Sequence, residues 1–413
     1  MIKKVFTLII ISIFFNANLT KAQLKTGAEN IIDNLSLLEN KKVAVVANNT
    51  SMINNTHLID SLISLKINIV KIFSPEHGFK GNFSAGAKVE GEKFNDNKIP
   101  LISLYGNNRK PTKKQLKSVD LVVFDIQDVG VRFYTYISTM TYVMEACAEN
   151  NIPIIVLDRP NPNGFYVDGP VLEKKYSSFI GLHSVPVVYG MTIGEYALMV
   201  NEERWMKNKI KCNLRIVKLS NYNRNKIYDL SVSPSPNLQT TEAILLYPSL
   251  CFFEGTNVSI GRGTEHPFEI IGSPEFSKGS YSFIPKSIKG VADNPKYLGK
   301  ECNGYYLKEF ANNYLRSYYH LYLFWLKGFY DDSKNKNEFF TSYFDKLAGS
   351  DKLRKQIIAG KTIEEIQNSW KEDLLEFLKI RKKYLLYPDI SIEGKLLKGG
   401  SINTFLLRNK DNE

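Results

Sequence analysis

"IVKIFSPEHGFKG", Ile69 to Gly81, reads as a strand that ends abruptly. Ile69, Val70, Ile72 and Phe73 favour an extended, buried backbone. Pro75 stops the run, and Glu76 and His77 follow at once, with Gly78 and Gly81 beside them. Similar runs stand on either side. "KKVAVVANN" precedes it, and "DLVVFDIQD" and "IPIIVLDRPNP" follow. "LRIVKL" offers a later strand. Between the runs lie "THLIDSLISLK", "TKKQLKSV" and "STMTYVMEACAEN", each with apolar spacing suited to a helix. Continuous Val/Ile/Leu runs that alternate with helices predict βαβ units. The expected fold is therefore α/β: a Rossmann-like, doubly wound, mostly parallel sheet covered on both faces.

In such a sheet, ligands sit beyond the carboxyl ends of the strands. Here those ends are polar. The first carries Asn48 and Asn49, the second Glu76 and His77, and the third Asp125 and Asp128. The fourth carries Asp158, Arg159, Asn161 and Asn163. A single Asp after a strand often only caps a helix or shapes a turn, as Asp128 and Asp158 each could. Four polar exits together point to one crevice.

From about residue 250 the pattern changes. "CFFEGTNVSIGRGTEHPFEIIGSPEF" is rich in glycine and polar residues and reads as a long functional loop. Aromatic segments and further helices follow. The expected division is a leader over 1–22, an N-terminal domain over 23–249, and a smaller α+β domain over 250–413 that closes the cleft.

Composition bounds the function. The chain has 413 residues, 43% of them hydrophobic, enough for a large core, and a formal charge of +12. Residues 1–22 place Lys3 and Lys4 before the apolar run Val5–Phe15, with Thr20 and Ala22 at small-residue cleavage positions. This is the pattern of a secretory leader. The run is short for a membrane span, and no later stretch is longer, so stable membrane insertion is not expected. An exported basic protein has little call for nucleic acid and suits an acidic envelope polymer. Cys147, Cys212, Cys251 and Cys302 are widely spaced, form no Cys-x-x-Cys, and read as buried free thiols. No phosphate loop, dinucleotide turn, Gly-x-Ser-x-Gly elbow or His-Glu-x-x-His occurs. No cofactor and no metal are expected.

What remains is carboxylate chemistry. "DIQDVGVRFYTY" follows two acids with Arg132, Tyr134 and Tyr136. A glycosidase needs a carboxylic acid beside the leaving oxygen and a second group at the anomeric carbon. Core packing accounts for one of the two tyrosines. An esterase or amidase would need an activated nucleophile, and none is evident. A non-catalytic glycan-binding protein would use the same cleft.

"FSPEHGF", "DIQDVGVRFYTYISTM", "LDRPNPNG", "GMTIGEYA", "PSPNL" and "YPSLCFFEGTNVSIGRGTEHPFE" together resemble the NamZ-type exo-β-N-acetylmuramidases, from about residue 40 onward. The resemblance implies a Rossmann-like domain, a smaller second domain and a cleft between them. It also implies release of N-acetylmuramic acid from the non-reducing end of peptidoglycan fragments. It points to Glu76 as the catalytic acid, with His77 to orient it. It draws in Arg132, Tyr134 and Tyr136, and Asn257, Arg262 and Glu265 from the second domain. The group that assists Glu76 stays open among Asp125, Asp128, a tyrosine such as Tyr134, and the substrate's own acetamido oxygen. Asn49, Asp128, Arg132, Tyr136, Asn161, Asn257, Arg262 and Glu265 are the expected substrate contacts. Muramic acid carries a lactyl carboxylate, which calls for an arginine. Arg262 is the strongest candidate, with only Glu265 nearby to compete for it.

Overall fold

The computed structural model describes residues 23–81, 93–94 and 99–389. The expected leader, 1–22, and the last residues of the second domain lie outside that range.

Seven strands form the main sheet: β1 (Val43–Ala47), β2 (Ile69–Ser74), β3 (Lys93–Phe94), β4 (Ile99–Ser103), β5 (Leu121–Asp125), β6 (Ile154–Leu157) and β7 (Leu214–Val217). Their order is β3-β4-β2-β1-β5-β6-β7. β3 pairs antiparallel with β4 and the rest are parallel. The six parallel strands thus run 3-2-1-4-5-6 in chain order, the doubly wound arrangement of Rossmann-like domains. The order reverses between β1 and β5, where Ala47 lies beside Asp125.

Strand alternation builds two cores. Val43, Val45, Ala47, Leu121 and Val123 pack on one face under α1 (Leu58–Ser64). Ala44, Val46, Phe73, Val122 and Phe124 point the other way, toward α2 (Tyr136–Glu149) and α3 (Ile193–Glu202). This second core does not stop at the N-terminal domain. It runs on through α4 (Thr241–Leu250) to Phe329, Phe344 and Trp370. The second domain is α+β. It has a three-stranded antiparallel sheet, β8 (Ile270–Ser273), β9 (Tyr281–Phe283) and β10 (Cys302–Tyr306), and a set of short helices.

The two domains are also tied by polar contacts. Asp168 accepts from Leu321 N at 2.7 Å and from Trp370 Nε1 at 2.9 Å. Past the last described helix, α5 (Lys371–Lys382), the chain returns to the sheet. Arg381 donates to Gly190 O at 2.6 Å, Leu386 N to Glu195 at 2.8 Å, and the Tyr387 hydroxyl to Asp158 at 2.6 Å.

One local expectation needs correction, and two other elements go beyond the sequence reading. "TKKQLKSV" forms turns, not a helix. Thr112 and Gln115 cap each other, but one turn rich in lysine has no apolar stripe long enough to propagate. "IPLIS" is a strand although Pro100 interrupts its donors. It is tolerated because it stands near the start of β4, ahead of Leu101, where the ladder to β2 begins. The long helical stretch after Thr362 breaks at Ser369–Trp370, where Trp370 turns inward to Asp168. All four cysteines are buried and free.

Candidate active site

The second strand exit is built tightly. Glu76 is 9% exposed, and Oε2 of its carboxylate accepts from Thr135 Oγ1 at 2.7 Å. His77, half-buried, takes a left-handed backbone, φ 69°, which turns the chain sharply behind Glu76. A non-glycine residue there is uncommon. Gly81 is required by space and by conformation: its φ is 65°, and a Cβ would fall on the Asn49 amide. Asn49 donates to Ser233 O at 3.0 Å, and its Oδ1 is buried without a partner among the described residues.

Two tyrosines fasten this exit from beneath. The Tyr134 hydroxyl donates to Pro234 O at 2.6 Å, and Tyr136 accepts from Asn48 Nδ2 at 3.1 Å. Tyr136 is also 3.4 Å from Glu76 O and 3.3 Å from Pro234 O. Their rings meet edge to face at 4.8 Å. Burial, then neighbouring tyrosine hydroxyls for Tyr134 and the Glu76 charge for Tyr136, pushes both phenols up, so they remain neutral. Both side chains are core residues that hold the exit, whereas the sequence reading assigned core packing to only one of them.

The third and fourth exits lock together. Arg159 embraces Asp125 with two bonds, Nε–Oδ1 at 2.6 Å and Nη2–Oδ2 at 2.8 Å. Asp125 is fully buried. Arg159 thereby engages both oxygens of a candidate catalytic carboxylate. Asp158 instead accepts from Gly194 N, Thr192 Oγ1 and Tyr387, and burial raises its pKa to about 7. Asn161 donates to Met191 O at 2.8 Å and accepts from Asn163 N, so it shapes its own turn. Asn163 bridges Val129 O and Ile244 O. Asp128 differs from the rest. Oδ2 is held by Gly130 N and Tyr189 Oη, but Oδ1 has no partner among the described residues. Burial raises this carboxyl to about 6, against those two donors.

The second domain faces these exits. Tyr247 of α4, where the N-terminal domain ends, meets Tyr134 edge to face at 5.9 Å and Phe268 of the second domain at 5.0 Å. Arg262 lies 5.1 Å over the Phe268 ring and is bound by Glu254, Nε–Oε1 at 2.9 Å. Its competitor is therefore Glu254, and Glu265 is exposed instead. Burial, then the Cys251 thiol and the charges of Glu254 and Glu76, push the Tyr343 phenol up, and the residue keeps 37% exposure. Lys296 secures the loop from below, donating to the carbonyls of Phe253, Thr256 and Val258. Asn257 uses its backbone, donating to Phe339 O and accepting from Tyr297 Oη, beside a void of about 10 Å³. Arg132 is fully buried and donates to Pro170 O, Val185 O and Leu347 O at 2.7–2.9 Å. Its guanidinium is a tie between domains: three carbonyls take donors of its two terminal nitrogens, and Nε, without a partner among the described residues, is buried out of reach of a substrate carboxylate.

The sequence reading missed Thr135, Glu254, Tyr343 and Pro234. Thr135 had the clearest signal, as the one hydroxyl of "VRFYTY" with a short side chain. Among the described residues no three His, Cys, Asp or Glu side chains are grouped to hold a metal, and no helix is long and apolar enough to cross a membrane.

A doubly wound domain whose strand exits gather a carboxylate, amides and tyrosines, walled by a polar loop of a second domain, defines a two-domain α/β enzyme class with an interdomain site. Comparison narrows this. Residues 43–242 match the family described as Exo-beta-N-acetylmuramidase NamZ, N-terminal, and residues 245–387 match its C-terminal counterpart. The chain belongs to the NamZ exo-β-N-acetylmuramidase family. It is 38% identical over 393 residues to a protein of Bacillus subtilis (strain 168) named peptidoglycan beta-N-acetylmuramidase NamZ, covering 90% of this chain and 93% of that one. A DUF1343 family protein of Bacteroides fragilis has a solved structure that aligns with a TM-score of 0.83 at 42% identity, over 89% of this chain and 100% of that one. A second from the same organism aligns at 0.71 with 30% identity, over 88% and 99%.

Proposed function

We propose that this chain is an exo-β-N-acetylmuramidase, a glycoside hydrolase that releases N-acetylmuramic acid from the non-reducing end of peptidoglycan fragments. Glu76 is the proton donor. The observation that carries this reading is the position of Glu76: on a strand exit, 9% exposed, and oriented by Thr135. A carboxylic acid so held can protonate the glycosidic oxygen as its bond to the anomeric carbon breaks, and water then completes the sugar. Asp125 is engaged by Arg159, so the assisting group comes from elsewhere in the site. Asp128 keeps an unpaired Oδ1, but the atom is buried, so it acts through a bound water and not by direct contact with the substrate. Tyr343, 37% exposed, supplies the aromatic surface for the sugar ring, a substrate contact that the sequence reading looked for in Tyr136.

Arg262 reads the lactyl carboxylate. Of the three arginines in the motif loops, Arg132 and Arg159 are almost wholly buried and engaged, while the Arg262 side chain is 29% exposed. The leader at 1–22 directs export to the periplasm or beyond, where peptidoglycan lies. The partners are muramyl glycans, with neither nucleic acid nor stable membrane insertion involved.

The test is Glu76→Gln, which keeps shape and removes the transferable proton. On a chromogenic muramide the expected loss is ~10²-fold or more in turnover, in a protein that folds as wild type. Near-wild-type turnover would overturn the assignment.

A further inference from the structure

Away from the strand-exit residues the structure has a second cavity, of about 260 Å³, lined by Phe165, Asn225, Lys226, Ile227, Arg316 and Tyr319. It lies on the seam between domains, since the first four residues belong to the N-terminal domain and the last two to the second. Phe165 and Tyr319 meet edge to face at 5.9 Å and form an aromatic wall. Lys226 and Arg316 are both exposed. Arg316 donates to Asn312 Oδ1 at 3.4 Å, and neither cation has a carboxylate partner among the described residues. Most exposed cations of a basic chain simply point into water. These two flank one recess, beside an amide and an aromatic wall.

That combination has a definite chemistry. A guanidinium and an ammonium together attract a carboxylate, and the guanidinium binds it through paired donors. The aromatic wall takes apolar C–H surface, and Asn225 takes a polar group of either sense. The volume is below the ~300–1,000 Å³ of pockets for drug-sized ligands, so it admits one ring or one chain end. We infer that this seam cavity is an accessory site for a carboxylate-bearing unit of the cell-wall polymer, distinct from the residues that carry catalysis. The existence of the site rests on its own residues; only the identity of the polymer rests on the muramidase reading. Such a site holds the enzyme on its insoluble substrate between cleavage events.

The experiment compares the full chain with a Lys226→Ala/Arg316→Ala variant. Both side chains are exposed, so the variant should fold as wild type, which a thermal melt checks. The first readout is co-sedimentation with purified peptidoglycan at low and high salt. The second is turnover of a soluble chromogenic muramide. We expect the variant to bind the polymer ~10-fold less well at low salt, with the wild type losing the same advantage at high salt. Turnover of the soluble chromogen should be unchanged. Competition by N-acetylmuramic acid, or instead by a free stem peptide, identifies whether the sugar or the peptide supplies the carboxylate. Equal retention of variant and wild type overturns the site, and displacement by neutral N-acetylglucosamine overturns its carboxylate chemistry. Failure of the wild type to cleave the chromogen would sink the muramidase reading, while the retention difference would still decide the site.

Discussion

Asp125 is the residue on which sequence and structure assign different work, and substitution separates the two. The sequence makes it a candidate catalytic partner of Glu76. The structure makes it half of a buried ion pair, with Arg159 at 2.6 and 2.8 Å and side-chain exposures of 0% and 6%. Removing one member of a buried pair leaves the other charge without compensation, which costs ~3–5 kcal/mol. Arg159→Met should therefore destabilise the protein by about that amount, because Asp125 is then a bare carboxylate in the core. Asp125→Asn should cost somewhat less, since Arg159 keeps Met52 O at 3.2 Å. The double variant should be more stable than the sum predicts, with a coupling in the upper half of the ~0.5–3 kcal/mol range. Urea denaturation gives all three values. Turnover of the chromogenic muramide by Asp125→Asn, measured well below its unfolding midpoint, should fall by less than about tenfold. A variant as stable as wild type that loses ~10³-fold in turnover would refute the argument and return Asp125 to catalysis.

Thr135→Val removes the hydrogen bond that holds the Glu76 carboxyl in place, worth ~0.5–1.5 kcal/mol, so kcat/KM should drop ~2- to 10-fold while Thr135→Ser restores it; unchanged kinetics would strip Thr135 of its orienting role. Arg262→Ala should lower activity on a muramide ~10- to 100-fold and on the matched glucosaminide much less; equal losses would mean that Arg262 does not read the lactyl group. Asp158 has its folded pKa raised by burial to about 7, so the native state holds a proton that the unfolded chain has released. Its contribution to stability is complete below the ordinary carboxylate range and declines as pH rises to about 7. The stability of wild type relative to Asp158→Asn should fall between about pH 4 and pH 7 in denaturant titrations, and a pH-independent difference would contradict the raised pKa.

The sheet was legible because its strands are continuous apolar runs, and the candidate site because each run ends in polar residues. β4 was not, since Pro100 within "IPLIS" argues against a strand unless it is known to stand ahead of the ladder to β2. Side-chain partnerships were less legible still. Asp125 and Arg159 are 34 residues apart, and only the parallel neighbours β5 and β6 bring them together. Arg132 looked like a ligand-binding arginine because it stands in a motif. Its fixed place is due partly to Leu347, 215 residues later. Tyr134 and Tyr136 alternate as core and surface residues of a strand would, yet both hydroxyls reach the carbonyl of Pro234. Glu254 was passed over in favour of Glu265, which is nearer to Arg262 in sequence but not its partner in space.

The return of the chain end to the first domain has a consequence for how the protein is made. Gly190 O, Glu195 and Asp158 are buried acceptors of the N-terminal domain, and Arg381, Leu386 and Tyr387 help to satisfy them. The last main-sheet strand ends at Val217, far ahead of these residues in the chain. A chain that emerges N-terminus first, from the ribosome or across a membrane, therefore exposes the whole N-terminal sheet before its final donors. Until they arrive it also lacks the second-domain side chains that cover one face of its sheet. The N-terminal domain is thus complete in sequence well before it is complete in structure, and native closure is a late event of folding.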